Sequence, residues 1–288
     1  MWEILVTNFS LYELFKPHWI VLLTVLSYFY IRKVVRSPLY VVTNKQLRYF
    51  FAAVISFYIV QGSPLSVVAS HYLFSAHVFQ LAISCFLVAP LLILSFPVDF
   101  YRRYAWHYRA KLAIKLFAYP WLTLVAFNGL LTLYFIPAVF NFLQANVILY
   151  IFAQIILMFN AFLMWWVIIN PIPELINFQF LLRAAYIFLA SLLLIPIGFF
   201  FLIVQKAHFP FYQAVAGDFL PVLTAVYDQQ LAGGLLKVIQ IASYVIALLL
   251  LLLKWGKQEE AKEGTVDDEN IRVVQGVVIH LNKNDKTR

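Results

Sequence analysis

From Ser70 to Pro97 the chain runs for 28 residues without one aspartate, glutamate, lysine or arginine. A run this long and apolar fits the lipid core or the interior of a helix bundle. There each backbone amide must find its partner inside the segment, so the run is expected to be helical. Two histidines, His71 and His77, interrupt it. Polar side chains at membrane depth are costly, and each needs a reason.

The rest of the chain repeats the pattern. Of its 288 residues, 64% are hydrophobic and 12% charged, against about 25% charged in a soluble domain. Apolar runs near the roughly 20 residues of a membrane crossing fall at 17–35, 44–61, 64–96, 116–136, 147–169, 180–204 and 235–253. The expected fold is an all-α, polytopic membrane bundle of about seven transmembrane helices over residues 1–254. A charged, flexible cytoplasmic tail over 255–288 should follow, in which Val273 to Ile279 can pair as a short strand on a partner. The first sixteen residues carry Glu3 and Glu13 and lack the basic start of a cleaved signal, so the first span is expected to direct insertion.

Local chemistry marks several boundaries. Thr43 and Gln46 have the spacing of a capping box before the second span. Gly62 ends that helix, Ser63 caps the next, and Pro64 suits its first turn. Pro137 closes the fourth span and Asn170-Pro171-Ile172-Pro173 the fifth. Pro90, Pro120 and Pro196 are expected to kink spans from within.

The net charge of +8 sits in the membrane part, because residues 254–288 hold seven basic and seven acidic side chains. Residues 32–48 carry Arg32, Lys33, Arg36, Lys45 and Arg48; residues 98–115 carry Arg102, Arg103, Arg109, Lys111 and Lys115; 61–63 and 137–146 carry no basic residue. The positive-inside rule then puts the N-terminus outside and the C-terminus in the cytoplasm. The stretch Phe100 to Lys115 is a topology determinant able to lie on the inner surface. The charge follows membrane topology, not a basic face for nucleic acid. No acidic or basic side chain lies deep in the spans as drawn, which disfavours ion-coupled transport and pumping. No Ser/His/Asp set or HExxH sits at membrane depth, so no enzyme is expected.

The candidate chemistry is sparse. His71 and His77 stand six apart, about 240° and 9 Å on a regular helix, so one ion cannot take both unless the helix breaks between them. His77, with Gln80, Leu81 and Ser84 near its face, is either an interhelical hydrogen-bond partner or a metal ligand. Cys85, the one cysteine, excludes a disulfide or CxxC motif and reads as a small apolar filler or a ligand. Met158 and Met164 are packing residues or soft donors for copper(I).

The block Phe74-Ser75-Ala76-His77 with Gln80, followed by Val88-Ala89-Pro90-Leu91-Leu92, resembles the signature of the cytochrome c oxidase assembly factor CtaG family of Bacillus-type bacteria. Two further blocks agree: Phe127-Asn128-Gly129-Leu130 leading to Ile136-Pro137, and Phe162-Leu163-Met164-Trp165-Trp166 leading to Asn170-Pro171-Ile172-Pro173. The resemblance covers about residues 15–255. It implies a multi-pass protein of the bacterial cell membrane that matures a caa-type haem-copper oxidase and assists copper delivery to the CuB site. The implied partners are the oxidase catalytic subunit or other assembly factors. The implied copper ligand is His77, aided by His71 or His208. Where many members carry further histidines this chain has Leu81, Phe135 and Tyr150. A metal-free membrane chaperone with the same fold is therefore the alternative.

Overall fold

The computed structural model describes residues 2–266, 271–274 and 277–280, with side chains as far as residue 260. The chain divides into two compact units, residues 1–244 and 245–288. Among the described residues, five helices are long and apolar enough to cross a membrane, and two bent helix pairs raise the number to seven if each pair crosses once. In chain order, span 1 is Leu11–Val35, span 2 is Asn44–Gln61 with Pro64–His71 bent from it by 46°, and span 3 is Phe74–Ser95. Span 4 is Tyr108–Phe117 with Pro120–Tyr134 at 60°, span 5 is Val147–Ile169, span 6 is Phe180–Ile203, and span 7 is Ala225–Glu260.

Span 3 is the central helix of the first unit. It packs against span 2 on one side and span 5 on the other. Of its apolar window 61% is buried, against 17–39% in the other unbroken spans, whose outer faces expose apolar side chains such as Phe152, Leu181 and Phe188. Span 4 packs on span 5, and span 6 on span 4.

The helix ends follow the local signals. Thr43 and Gln46 form the reciprocal capping box, Gln46 donating its amide to Thr43 Oγ1 and Thr43 its own to Gln46 Oε1. Gly62 ends the helix where a Cβ would lie 2.4 Å from the Tyr58 ring, so the close approach itself requires glycine. Ser63 Oγ accepts from the Leu65 amide, and Pro64 opens the next helix. Asn146 caps the start of span 5, and Asn170, at φ 47°, turns the chain out at its end.

Four boundaries differ from the sequence expectation. The third helix is not continuous over 64–96. It breaks at Tyr72 and Leu73, and Pro64–His71 lies at an angle to span 2. The break has a side-chain cause, given below. Pro120 stands at a helix start, where its missing N–H costs nothing, and separates two helices instead of kinking one. The expected connection 137–146 contains a helix, Pro137–Gln144. Span 7 begins ten residues before position 235, at Ala225.

Pro90 acts as expected. It has no amide to offer and its ring would crowd a carbonyl one turn back. Span 3 answers with one wide turn, Ser84–Val88, closed by a bond from the Ala89 amide to the Ser84 carbonyl, the geometry of a π-bulge. The indole N–H of Trp165 on span 5 donates to the Cys85 carbonyl within that turn at 2.9 Å. In the second unit Ile271–Val274 pairs antiparallel with Val277–His280. Val273 thus pairs with Val278 of its own chain.

Candidate functional site

The site is built from the broken end of span 3. A helix start leaves amide protons without intrahelical acceptors. Here the carboxylate of Asp228, in the first turn of span 7, supplies them. It accepts from the Phe74 amide at 2.6 Å and the Ser75 amide at 3.1 Å, and also from the Ser75 hydroxyl. Anionic charge at a helix N-terminus is doubly favoured, by hydrogen bonding and by the helix dipole. In a continuous helix those two amides would bond to the Ser70 and His71 carbonyls. The amides of Tyr72 and Leu73 both go back to the Val68 carbonyl, closing the preceding helix. Asp228 thus fixes where span 3 starts.

That start sets His77 one turn in, fully buried. Its Nε2 lies 2.9 Å from the Tyr134 hydroxyl and its Nδ1 3.1 Å from the Tyr150 hydroxyl. Neutral imidazole has one N–H donor and one lone-pair acceptor, so one tyrosine accepts from the ring and the other donates to it. Tyr134 ends span 4 and Tyr150 lies in the first turn of span 5. The Gln154 side chain lies beside both hydroxyls. One imidazole therefore fastens three spans, and its two polar atoms are both satisfied, as buried polar atoms require. Aromatic rings close the surroundings. Phe140 meets His77 edge-on at 5.4 Å, and Phe74 stacks on Phe209 at 4.0 Å.

The other candidates lie apart from this node. His71 is exposed, its ring 4.9 Å from Phe9 and its Nδ1 3.2 Å from the Val67 carbonyl. His208 is half-buried, with Nδ1 2.7 Å from the Lys206 carbonyl and its ring against Phe200. Phe135 is fully buried against Phe74 and Phe201. Met164 accepts a hydrogen bond from the Tyr244 hydroxyl. Of the three positions where the resemblance expects other histidines, Tyr150 touches His77 directly. Among the described residues, no group of three or more His, Cys, Asp or Glu side chains stands together in a way that would hold a metal ion.

Beside Tyr150 a cleft of about 730 Å³ opens among spans 1, 2, 3 and 5. Gln61 and Gln80 meet across it, Gln80 Nε2 donating to Gln61 Oε1 at 2.6 Å. Leu81, Ser84, Cys85 and Met158 line it further along. Outside the spans, Arg102 reaches Glu174 at 2.5 Å and Asp99 at 3.6 Å. A backbone hydrogen bond first, and Arg102 next, hold the Glu174 carboxyl below its usual range.

Sequence reasoning found His77 but missed Asp228 and Tyr134. Apolar runs at 180–204 and 235–253 leave Asp228 in the connection between two spans. The signal was the run Asp228-Gln229-Gln230, polar side chains at the start of an otherwise apolar helix, where a buried partner is needed. Tyr134 stands beside Phe135, and sequence spacing does not tell which of the two meets His77.

The family model described as cytochrome c oxidase caa3 assembly factor (Caa3_CtaG) matches residues 26–258, and the chain belongs to that family. Neither a curated protein nor a solved structure matches the chain.

Proposed function

We propose that this member of the caa3 assembly-factor family works in the bacterial cell membrane as a non-enzymatic chaperone for the catalytic subunit of a haem-copper oxidase, and that His77 serves it as a structural fastening. The observation that supports this reading is the engagement of both His77 ring nitrogens by tyrosine hydroxyls. A metal needs a free ring lone pair. The neighbouring positions Leu81 and Phe135 carry no donor atom, and a neutral tyrosine is a weak donor for copper(I). In the same reading the N-terminus faces outward and the basic segments 32–48 and 98–115 face the cytoplasm.

The test is complementation of cells that lack the chain, reading assembled and active caa-type oxidase. The wild-type chain restores it. His77→Gln, whose amide both donates and accepts, restores it in proportion to the protein that accumulates. A His77→Gln variant that accumulates normally and restores nothing would defeat the structural role of His77. Unchanged oxidase in cells without the chain would defeat the chaperone role.

A second reading has copper passing to the CuB site through His77, aided by His71 or His208. Its support is the cleft beside Tyr150, lined by the sulfur side chains of Met158 and Cys85, which are soft donors suited to copper(I). Copper per purified protein distinguishes the two readings.

A further inference from the structure

The cleft beside Tyr150 is polar at one end and apolar at the other. Its polar end gathers Lys16, His18, Gln61, Ser70 and Gln80. Lys16 belongs to the start of span 1 and Gln61 to the end of span 2, and the Tyr58 hydroxyl ties the two ends by donating to the Phe15 carbonyl. Its apolar end is lined by Cys85, Ile155, Met158, Phe159 and Phe162. Tyr150 and Phe162 are twelve residues apart on one helix, so the cleft runs roughly 18 Å along span 5. Half of a hydrocarbon core of about 30 Å is about 15 Å, the reach of the acyl chains of one leaflet.

The mouth carries positive charge. The Lys16 ammonium is half-buried and forms no ion pair among the described residues. Glu13, the acidic residue three positions before it, gives its carboxylate to Ser10, accepting from the amide at 2.8 Å and from the hydroxyl at 2.9 Å. His18 is exposed beside it, and Trp19 lines the same end, an aromatic residue of the kind that sits at headgroup level.

We propose that this cleft binds one anionic phospholipid, with an acyl chain between spans 1, 2, 3 and 5 and its phosphate against Lys16 and His18. The polar row Gln61, Gln80 and Ser70 then faces the glycerol and ester region. The inference rests on the membrane-spanning architecture and not on the proposed oxidase role. A bound lipid there would fill the gap beside the His77 node and couple its packing to the surrounding bilayer.

Native mass spectrometry of the protein purified in mild detergent tests it, with phosphatidylglycerol and phosphatidylcholine of identical chains as probes. The wild type is expected to retain one phosphatidylglycerol in preference to phosphatidylcholine. Lys16→Ala, at the cleft mouth, should lower the phosphatidylglycerol affinity about fivefold, the worth of one lysine near an anionic surface, and leave phosphatidylcholine unchanged. Met158→Trp, which fills the apolar end, should lower retention of both lipids. Its thermal unfolding is followed in parallel, and Phe162→Trp serves as a second filling variant. Equal retention of both lipids by the wild type would overturn the proposal. So would retention unaffected by either filling variant, or a retained isoprenoid or protein segment in place of phospholipid.

Discussion

The Asp228 carboxylate accepts both the amide proton and the hydroxyl proton of Ser75, a residue 153 positions away in the sequence. One side chain of the last span thus sets the first turn of the central one, and the position of His77 follows from it. Hydrogen bonds to a charged group contribute about 1.5–3 kcal/mol each where they are measured. Asp228→Ala should lower the thermal unfolding midpoint in detergent markedly. Asp228→Asn, which keeps one acceptor oxygen, should lower it less. An Asp228→Ala protein that unfolds like the wild type would contradict the capping role.

His77 and its two tyrosines form a testable unit. Tyr150→Phe leaves Nδ1 of a buried imidazole without its partner, a loss of about 1–3 kcal/mol. Tyr134→Phe does the same at Nε2. In a His77→Phe background neither tyrosine substitution should cost nearly as much, because the bond it removes is already gone. The double-mutant cycle reads that coupling directly. Equal losses in both backgrounds would show that the hydroxyls are held by other groups.

The ion pair between Arg102 and Glu174 predicts a pH effect with a definite sign. The folded state holds the Glu174 carboxyl below its usual range. Its contribution to stability is therefore present above the ordinary carboxylate range and is lost as pH falls through the lowered value. Glu174→Gln should flatten that part of the acid limb of the stability curve. Both side chains are about half exposed, so the effect should be small and should shrink with added salt. An acid limb identical in Glu174→Gln and wild type would remove the pair from the account of stability.

Much of the fold is legible in the sequence because bilayer thickness leaves few ways to arrange apolar runs of about 20 residues. The capping box at Thr43 and Gln46, the Gly62-Ser63-Pro64 junction and the Asn170 turn are all local signals, and each stands where the side chains call for it. The broken third helix was not legible, because its cause is Asp228, a capping group brought in from far along the chain. The wide turn before Pro90 was foreseeable as a kink. Its form depends on Trp165 of another span accepting the role of donor to Cys85. At the site, His77 stood out as a polar residue in an apolar run. Tyr150 was legible only as a replacement for a histidine, and its contact with His77 is a tertiary fact.

Orientation has its own direct test. Five basic residues lie in 32–48 and five in 98–115, and short basic connections stay on the cytoplasmic side. A reporter fused after Arg109 should read cytoplasm. A reporter at that position active only outside would reverse the proposed topology.

The most direct measurement is copper per protein after mild-detergent purification from copper-supplemented cells, for the wild type and His77→Ala in parallel. The expected result is no stoichiometric copper in either, with the oxidase catalytic subunit co-purifying with the wild type. Near-stoichiometric copper in the wild type that His77→Ala loses would contradict the structural reading of His77 and establish it as a ligand.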